Sequence, residues 1–225
     1  MLLFTQISIQ KKIESRKLSG IKNIPSELRE ALKKNSEMLE FVEGYKKADK
    51  VEVGSFNYKE KKGEHPLLLQ WDKRWGYAEY GGSMMGISGC GPTCISMVIL
   101  GLTREAVTPY KVAKYAEKNG YYVEGSGTSW KLMTEGAGHF GISGSALPLS
   151  EERIKGVLDS GGMCICAMRP GDFTTEGHFI VIYGYNEQGF CVNDPNSVIR
   201  SKKSWPYDRI SHQIKNLWAY TTTGG

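Results

Sequence analysis

Three observations predict an α+β fold for this chain of 225 residues. Apolar spacing of helical type, with helix caps, dominates to about residue 160. Short β-prone runs separated by turn signals then occupy the rest of the chain. The apolar stretch Cys94-Ile95-Ser96-Met97-Val98-Ile99-Leu100 reads as a buried helix, with Cys90 in its first turn. Helices first and mostly antiparallel strands afterwards is the α+β order.

Residues 1–24 are polar without clear periodicity. Pro25-Ser26-Glu27 opens a helix, because proline is tolerated in a first turn and glutamate suits the dipole. Leu28, Ala31, Leu32, Leu39 and Val42 form a one-sided stripe, and Asn35-Ser36-Glu37 caps a second helix. Residues 46–64 are charged and read as a basic linker, with a short strand at Val51-Glu52-Val53. The division predicted is therefore a helical arm and linker over 1–64 and a compact domain over 65–225.

Within that domain Leu67 to Trp71 is a short apolar run, and Trp75 to Met85 is a glycine- and aromatic-rich loop. The Cys90 helix is expected to end near Leu100, with Gly101 beyond its C-terminus. Thr108-Pro109 starts the next helix and Asn119-Gly120 stops it. Thr128 or Ser129 caps a short helix through Met133, and Ser150-Glu151-Glu152 opens another that Gly161-Gly162 closes. Strands are predicted at 163–168, 178–185, 190–193 and 217–221, with Asn186 to Gly189 as a hairpin turn.

Composition is that of an ordinary globular protein, 40% hydrophobic and 24% charged, and the net charge is a modest +5. Nucleic acid is not expected as a partner, although the basic arm could rest on an acidic envelope. No run approaches the roughly 20 apolar residues of a membrane span. Met1 to Phe4 is too short for the core of a signal peptide. Five cysteines, an odd number without scaffold spacing, argue against a disulfide framework. Cys164-Ile165-Cys166 inside an apolar run is a poor zinc knuckle, so no metal or cofactor is expected.

Cys90 is the centre of the chemistry. A helix N-terminus stabilises a thiolate, and Gly89 and Gly91 allow close approach to the sulfur. His178, at the start of a β-prone run after Gly177, supplies a base. Asp194, ending the strand that hairpins with it, can orient the imidazole; alternation turns Asn193 to the other face. Gln70 is a candidate oxyanion donor beside the Cys90 N–H, with an ordinary polar cap as the alternative. Trp71, Trp75, Tyr77, Tyr80 and Trp130 are candidate substrate contacts, with Gly89 and Gly177, and are equally readable as core. Specificity would lie in loops 76–88, 120–128 and 169–177.

Leu69-Gln70 with Trp75-Gly76, Ser88-Gly89-Cys90-Gly91-Pro92-Thr93, Gly177-His178-Phe179-Ile180-Val181 and Asn193-Asp194-Pro195 together resemble the bacterial peptidase C39-like family over about residues 65–220. The resemblance implies a papain-like cysteine hydrolase whose nucleophile starts a central helix packed on an antiparallel sheet. It implies Cys90 as nucleophile, His178 as base and acid, Asp194 as orienter and Gln70 in the oxyanion hole. The substrate class would be peptides or related amides. Residues 24–45 also resemble an arm of exported Gram-positive members, which implies the extracellular space or envelope; the cytoplasm is the alternative. Gln70 precedes Cys90 by 20 positions, unlike the short interval of leader peptidases, so double-glycine processing is not expected. The competing functions are a catalytically silent binding module and an acyltransferase or transpeptidase.

Overall fold

The structure is a computed structural model that describes residues 24–125 and 127–223. The polar N-terminal stretch before residue 24, including Lys11-Lys12, lies outside the described residues. The chain divides into two compact units, meeting at Asp49/Lys50.

In the first unit, α1 (Ser26–Lys34) starts behind Pro25, carries Glu27 in its first turn and ends on Lys33 and Lys34. Those charges match the helix dipole at both ends. Asn35 then accepts the Glu37 N–H and starts a 3-10 turn, Ser36–Met38, that leads into α2 (Leu39–Gly44). Ile24, Leu28, Leu32, Met38, Phe41 and Val42 are the unit's buried apolar side chains among the described residues. Both helices agree with the sequence reading.

The second unit begins earlier than the sequence suggests. Val51 and Val53 form no strand and are more than half exposed. Val53 N–H bonds the Arg74 carbonyl, and a capping box between Asn57 and Glu60 opens α3 (Tyr58–Lys62). Arg74 ties this segment down through Glu60 and the Ser55 carbonyl, while Phe56 meets Trp75 edge-on at 6.1 Å. The charges that mark a solvated linker in the sequence are therefore partly spent in a salt-bridge cluster, and residues 50–64 belong to the compact unit.

The segment read as a loop before Cys90 contains a small hairpin, β1 (Glu79–Tyr80) and β2 (Ser83–Met84), followed by α4 (Met85–Ser88). Next comes α5 (Cys90–Thr103), whose residues Gly91 to Leu100 are all buried. It runs past Leu100 and stops at Arg104, in the left-handed region at φ 65°. Gly101 is inside the helix: a Cβ there would lie 2.8 Å from Met163 Sδ, so this glycine lets helix and sheet approach rather than ending the helix. Thr108 caps α6 (Pro109–Lys118) as expected. A two-residue pair, β3 (Tyr122–Val123) with β4 (Gly127–Thr128), leads to 3-10 turns at Trp130–Met133 and Ala137–Phe140.

The sheet comprises β5 (Ile142–Ala146), β6 (Met163–Met168), β7 (His178–Asn186), β8 (Gly189–Asn193), β9 (Ser204–Trp205) and β10 (Ile214–Thr222). Its order is β5-β10-β6-β7-β8-β9, antiparallel throughout. Between β5 and β6 lies α7 (Glu151–Asp159), capped by Ser150. Short helices α8 (Val198–Ser201) and α9 (Tyr207–Ser211) flank β9. Strand β5, with the sequence Ile-Ser-Gly-Ser-Ala, has almost no intrinsic β signal and is formed by pairing with β10.

Alternation along β6 sorts two cores. Met163, Ile165 and Ala167 pack with the apolar residues of α5 and α6. Cys164, Cys166 and Met168 pack with Ile154 of α7, Ile180 and Ile182. The result is an α+β arrangement in which an apolar helix carries Cys90 against an antiparallel sheet, as the resemblance implied.

Candidate active site

Helix α5 starts at Cys90 with no side-chain cap and no acidic residue in its first turn. Its positive end is thus left for the half-buried sulfur rather than satisfied by a carboxylate. Both neighbouring glycines are required by close approach. A Cβ on Gly89 would lie 2.5 Å from the Met85 carbonyl oxygen, and one on Gly91 would meet the Thr128 side chain at 2.8 Å.

His178 begins β7, opposite Met168 of β6. Val181 pairs with Asn193, so one residue further the register sets Asp194 across from Ile180, diagonal to His178 and on the same side of the pair. There His178 Nε2 and Asp194 Oδ1 are 2.8 Å apart, both buried. The bond at Nε2 leaves Nδ1 for the Cys90 thiol, which interacts with the ring. Burial alone would lower the imidazole pKa; the Asp194 charge and hydrogen bond, aided by Cys90, outweigh it and raise the value to about 9. Burial pushes the Asp194 carboxyl up, but His178 and Arg200 hold it below its usual range. Asn193 turns away and donates to the His65 and Pro66 carbonyls, as alternation predicted.

Gln70 stitches the two halves of the site together. Its backbone N–H donates to Pro195 O at 2.8 Å, and Trp71 Nε1 reaches Asn196 O at 3.2 Å. The Gln70 side chain is 3% exposed, and its Nε2 donates to Gly86 O at 3.0 Å and Ile87 O at 3.2 Å. Those two carbonyls, just ahead of Cys90, set the amide orientation, because the opposite flip would press Oε1 against them.

The structure corrects several substrate contacts suggested by sequence. Trp75, Tyr77 and Tyr80 are buried. Trp75 Nε1 donates to the Leu69 carbonyl, and the Tyr80 hydroxyl bonds Thr128 Oγ1, the side chain that packs against Gly91; these aromatics belong to the core rather than to a cleft wall. Trp130 differs: it is 43% exposed, packs edge-on against Trp218 at 5.5 Å, and has Lys215 Nζ 5.4 Å from its ring. Trp218 in turn lies 6.3 Å from Phe179, the neighbour of His178. Gly177 has open space around it.

The sequence reading missed Arg200, whose Nε donates to Asp194 Oδ2 at 2.5 Å. Its signal is local: Asp194 accepts the Asn196 N–H in an Asx-turn, and Ser197 caps a helix whose third residue is Arg200. Among the described residues no group of three His, Cys, Asp or Glu side chains could hold a metal ion. No helix among them is long and apolar enough to cross a membrane.

A family model described as the peptidase C39-like family matches residues 63–225. The chain belongs to this family. Solved structures resembling this family member include a C39-like peptidase from Bacillus anthracis, 15% identical with a TM-score of 0.43, covering 61% of this chain and 90% of that one. Another is the peptidase domain of Streptococcus ComA, a bifunctional ABC transporter of a quorum-sensing pathway, at 17% identity and TM-score 0.49 over 71% and 99%. A third is a double-glycine-motif protease from an AMS/PCAT transporter, in complex with the leader peptide, at 15% and 0.48 over 78% and 97%. No curated protein matches significantly.

Proposed function

We propose that this family member is a thiol hydrolase that cleaves peptide or related amide bonds through an acyl-enzyme on Cys90. The carrying observation is the buried His178–Asp194 bond at 2.8 Å beside the half-buried Cys90 at the start of α5. With its pKa raised to about 9 by the Asp194 charge, His178 holds a proton at neutral pH and is placed to pair with the attacking thiolate. The thiolate attacks the amide carbon, forming the C–S bond and an oxyanion. His178 then passes its Nδ1 proton to the amine nitrogen as the C–N bond breaks. A water next loses a proton to His178 and attacks the thioester, and the sulfur leaves as thiolate.

For the oxyanion, the Cys90 backbone N–H and Gln70 Nε2 are the proposed donors. Gly86 O and Ile87 O are adjacent acceptors that can share one Gln70 N–H as a three-centre bond, which leaves the other N–H for substrate. Trp130 and Trp71 flank the site as proposed subsite walls. Peptide electrophiles that leave one acyl group on the protein, followed by mass mapping of the modified residue, test this reading. Modification of Cys90 alone is expected; modification elsewhere, or none, sinks it. Faster release of the acyl group by added amines than by water would make the enzyme a transferase.

A further inference from the structure

The turn beyond the His178–Asp194 pair brings in a second cation. Asp194 is fully buried and divides its oxygens: Oδ1 takes His178 Nε2 and the Asn196 N–H, each at 2.8 Å, while Oδ2 takes Arg200 Nε at 2.5 Å. The turn is built to return Arg200 to this carboxylate. Ser197 Oγ accepts the Arg200 N–H at 3.0 Å, Ser201 Oγ accepts the Asp194 N–H at 2.8 Å, and Trp205 Nε1 holds the Arg200 carbonyl at 3.2 Å.

Among the described residues Asp194 is the one carboxylate within salt-bridge distance of Arg200, and Arg200 Nη2 is buried without a hydrogen-bond partner. The guanidinium is thus committed to Asp194 at some cost to its own hydrogen bonding. The charged and titratable groups around Asp194 are His178 from β7, Arg200 from α8 and the Cys94 thiol from α5, with the Cys90 thiol on the far side of the imidazole. With Cys90 as thiolate and His178 as imidazolium, thiolate, imidazolium, carboxylate and guanidinium alternate in sign and sum to zero. Without Arg200 the set carries a net negative charge, which the buried Asp194 carboxylate tolerates poorly.

We propose that Arg200 is a positioning residue of this site, holding Asp194 by its outer oxygen and balancing its charge while the inner oxygen serves His178. Its meaning for catalysis rests on the hydrolase reading, but its geometry does not.

The test is an NMR titration of the His178 imidazole in the full chain, which needs no turnover. Arg200→Gln removes the cation and is expected to move the His178 midpoint up by about one pH unit. Arg200→Lys, which keeps the charge, is expected to bring it back toward wild type. A folded Arg200→Gln that titrates with wild type, or a folded Arg200→Lys that titrates with Arg200→Gln, overturns the proposal. If Arg200→Gln does not fold, Asp194→Asn/Arg200→Gln decides. Folding as well as Asp194→Asn supports action through Asp194, and failing where Asp194→Asn folds overturns it. Absent labelling of Cys90 would sink the hydrolase reading and leave this titration result standing.

Discussion

Cys90 and the pair Cys164/Cys166 put the same side chain in opposite settings. Cys164 and Cys166 sit on one face of β6 among apolar neighbours; burial pushes the first thiol up to about 12 and the second well above its ordinary value. Cys94, one turn beyond Cys90, is raised well above its ordinary value in the same way. Cys90 is half-buried at the uncapped end of a helix, with an imidazolium held against it by a carboxylate. On the proposed reading, reactivity follows from a local positive field and access, and thiol content alone says nothing about it.

The contrast can be broken most sharply by exchanging the roles. Cys90→Ala is expected to lower turnover by about four orders of magnitude and abolish iodoacetamide labelling at neutral pH. Cys166→Ala should keep the labelling rate and lose about 1 kcal/mol of stability. If Cys166 of the folded protein labels as fast as Cys90, the two settings do not differ.

A second effect separates positioning from charge. Gln70→Ala is expected to lower kcat by about 10²-fold while Cys90 still alkylates at near wild-type rate. If both rates fall together, Gln70 acts only as a clamp on the Gly86 and Ile87 carbonyls.

The ion pair beside Cys90 also makes stability depend on pH. His178 has its folded pKa raised from 6.5 to about 9, so its contribution is full below 6.5 and is lost as pH rises through 9. Asp194 has its pKa lowered from 3.8, so its contribution is present above 3.8 and fades as pH falls. Urea midpoints of wild type should therefore fall between pH 6.5 and 9, and those of His178→Ala should stay flatter across that window. Parallel curves would refute this.

The smallest expected effect tests the rim. Trp130→Ala should change stability by less than about 1 kcal/mol and raise KM severalfold. Trp75→Ala, in the core, should cost about 3–5 kcal/mol. Equal stability losses would mean that Trp130 is core as well.

Much of the helical half was legible, because caps such as Asn35, Thr108 and Ser150 act on their own next few residues. Strands β6 to β8 were legible as short apolar, β-prone runs bounded by turn signals, including the turn at Asn186 to Gly189. Strand β5 was not, since Ser143, Gly144 and Ser145 become a strand only by pairing with β10. Nor was the end of α5, where Gly101 answers to Met163 across the core rather than to its own helix. Trp75 and Tyr80 looked like cleft aromatics because composition does not say which side of a loop a ring faces.

By itself the sequence determined the chemistry available: a thiol at a glycine-flanked helix start, one histidine opening a strand, and one aspartate closing its hairpin partner. Those follow from local rules of capping, alternation and turn formation. Only the tertiary structure decided that Gln70 bonds both arms of the site, that Trp130 is exposed where Trp75 is buried, and that Arg200 closes on Asp194. Each of those depends on contacts between segments that one-dimensional spacing does not relate. The physical reason is that burial and ion pairing are properties of what surrounds a side chain.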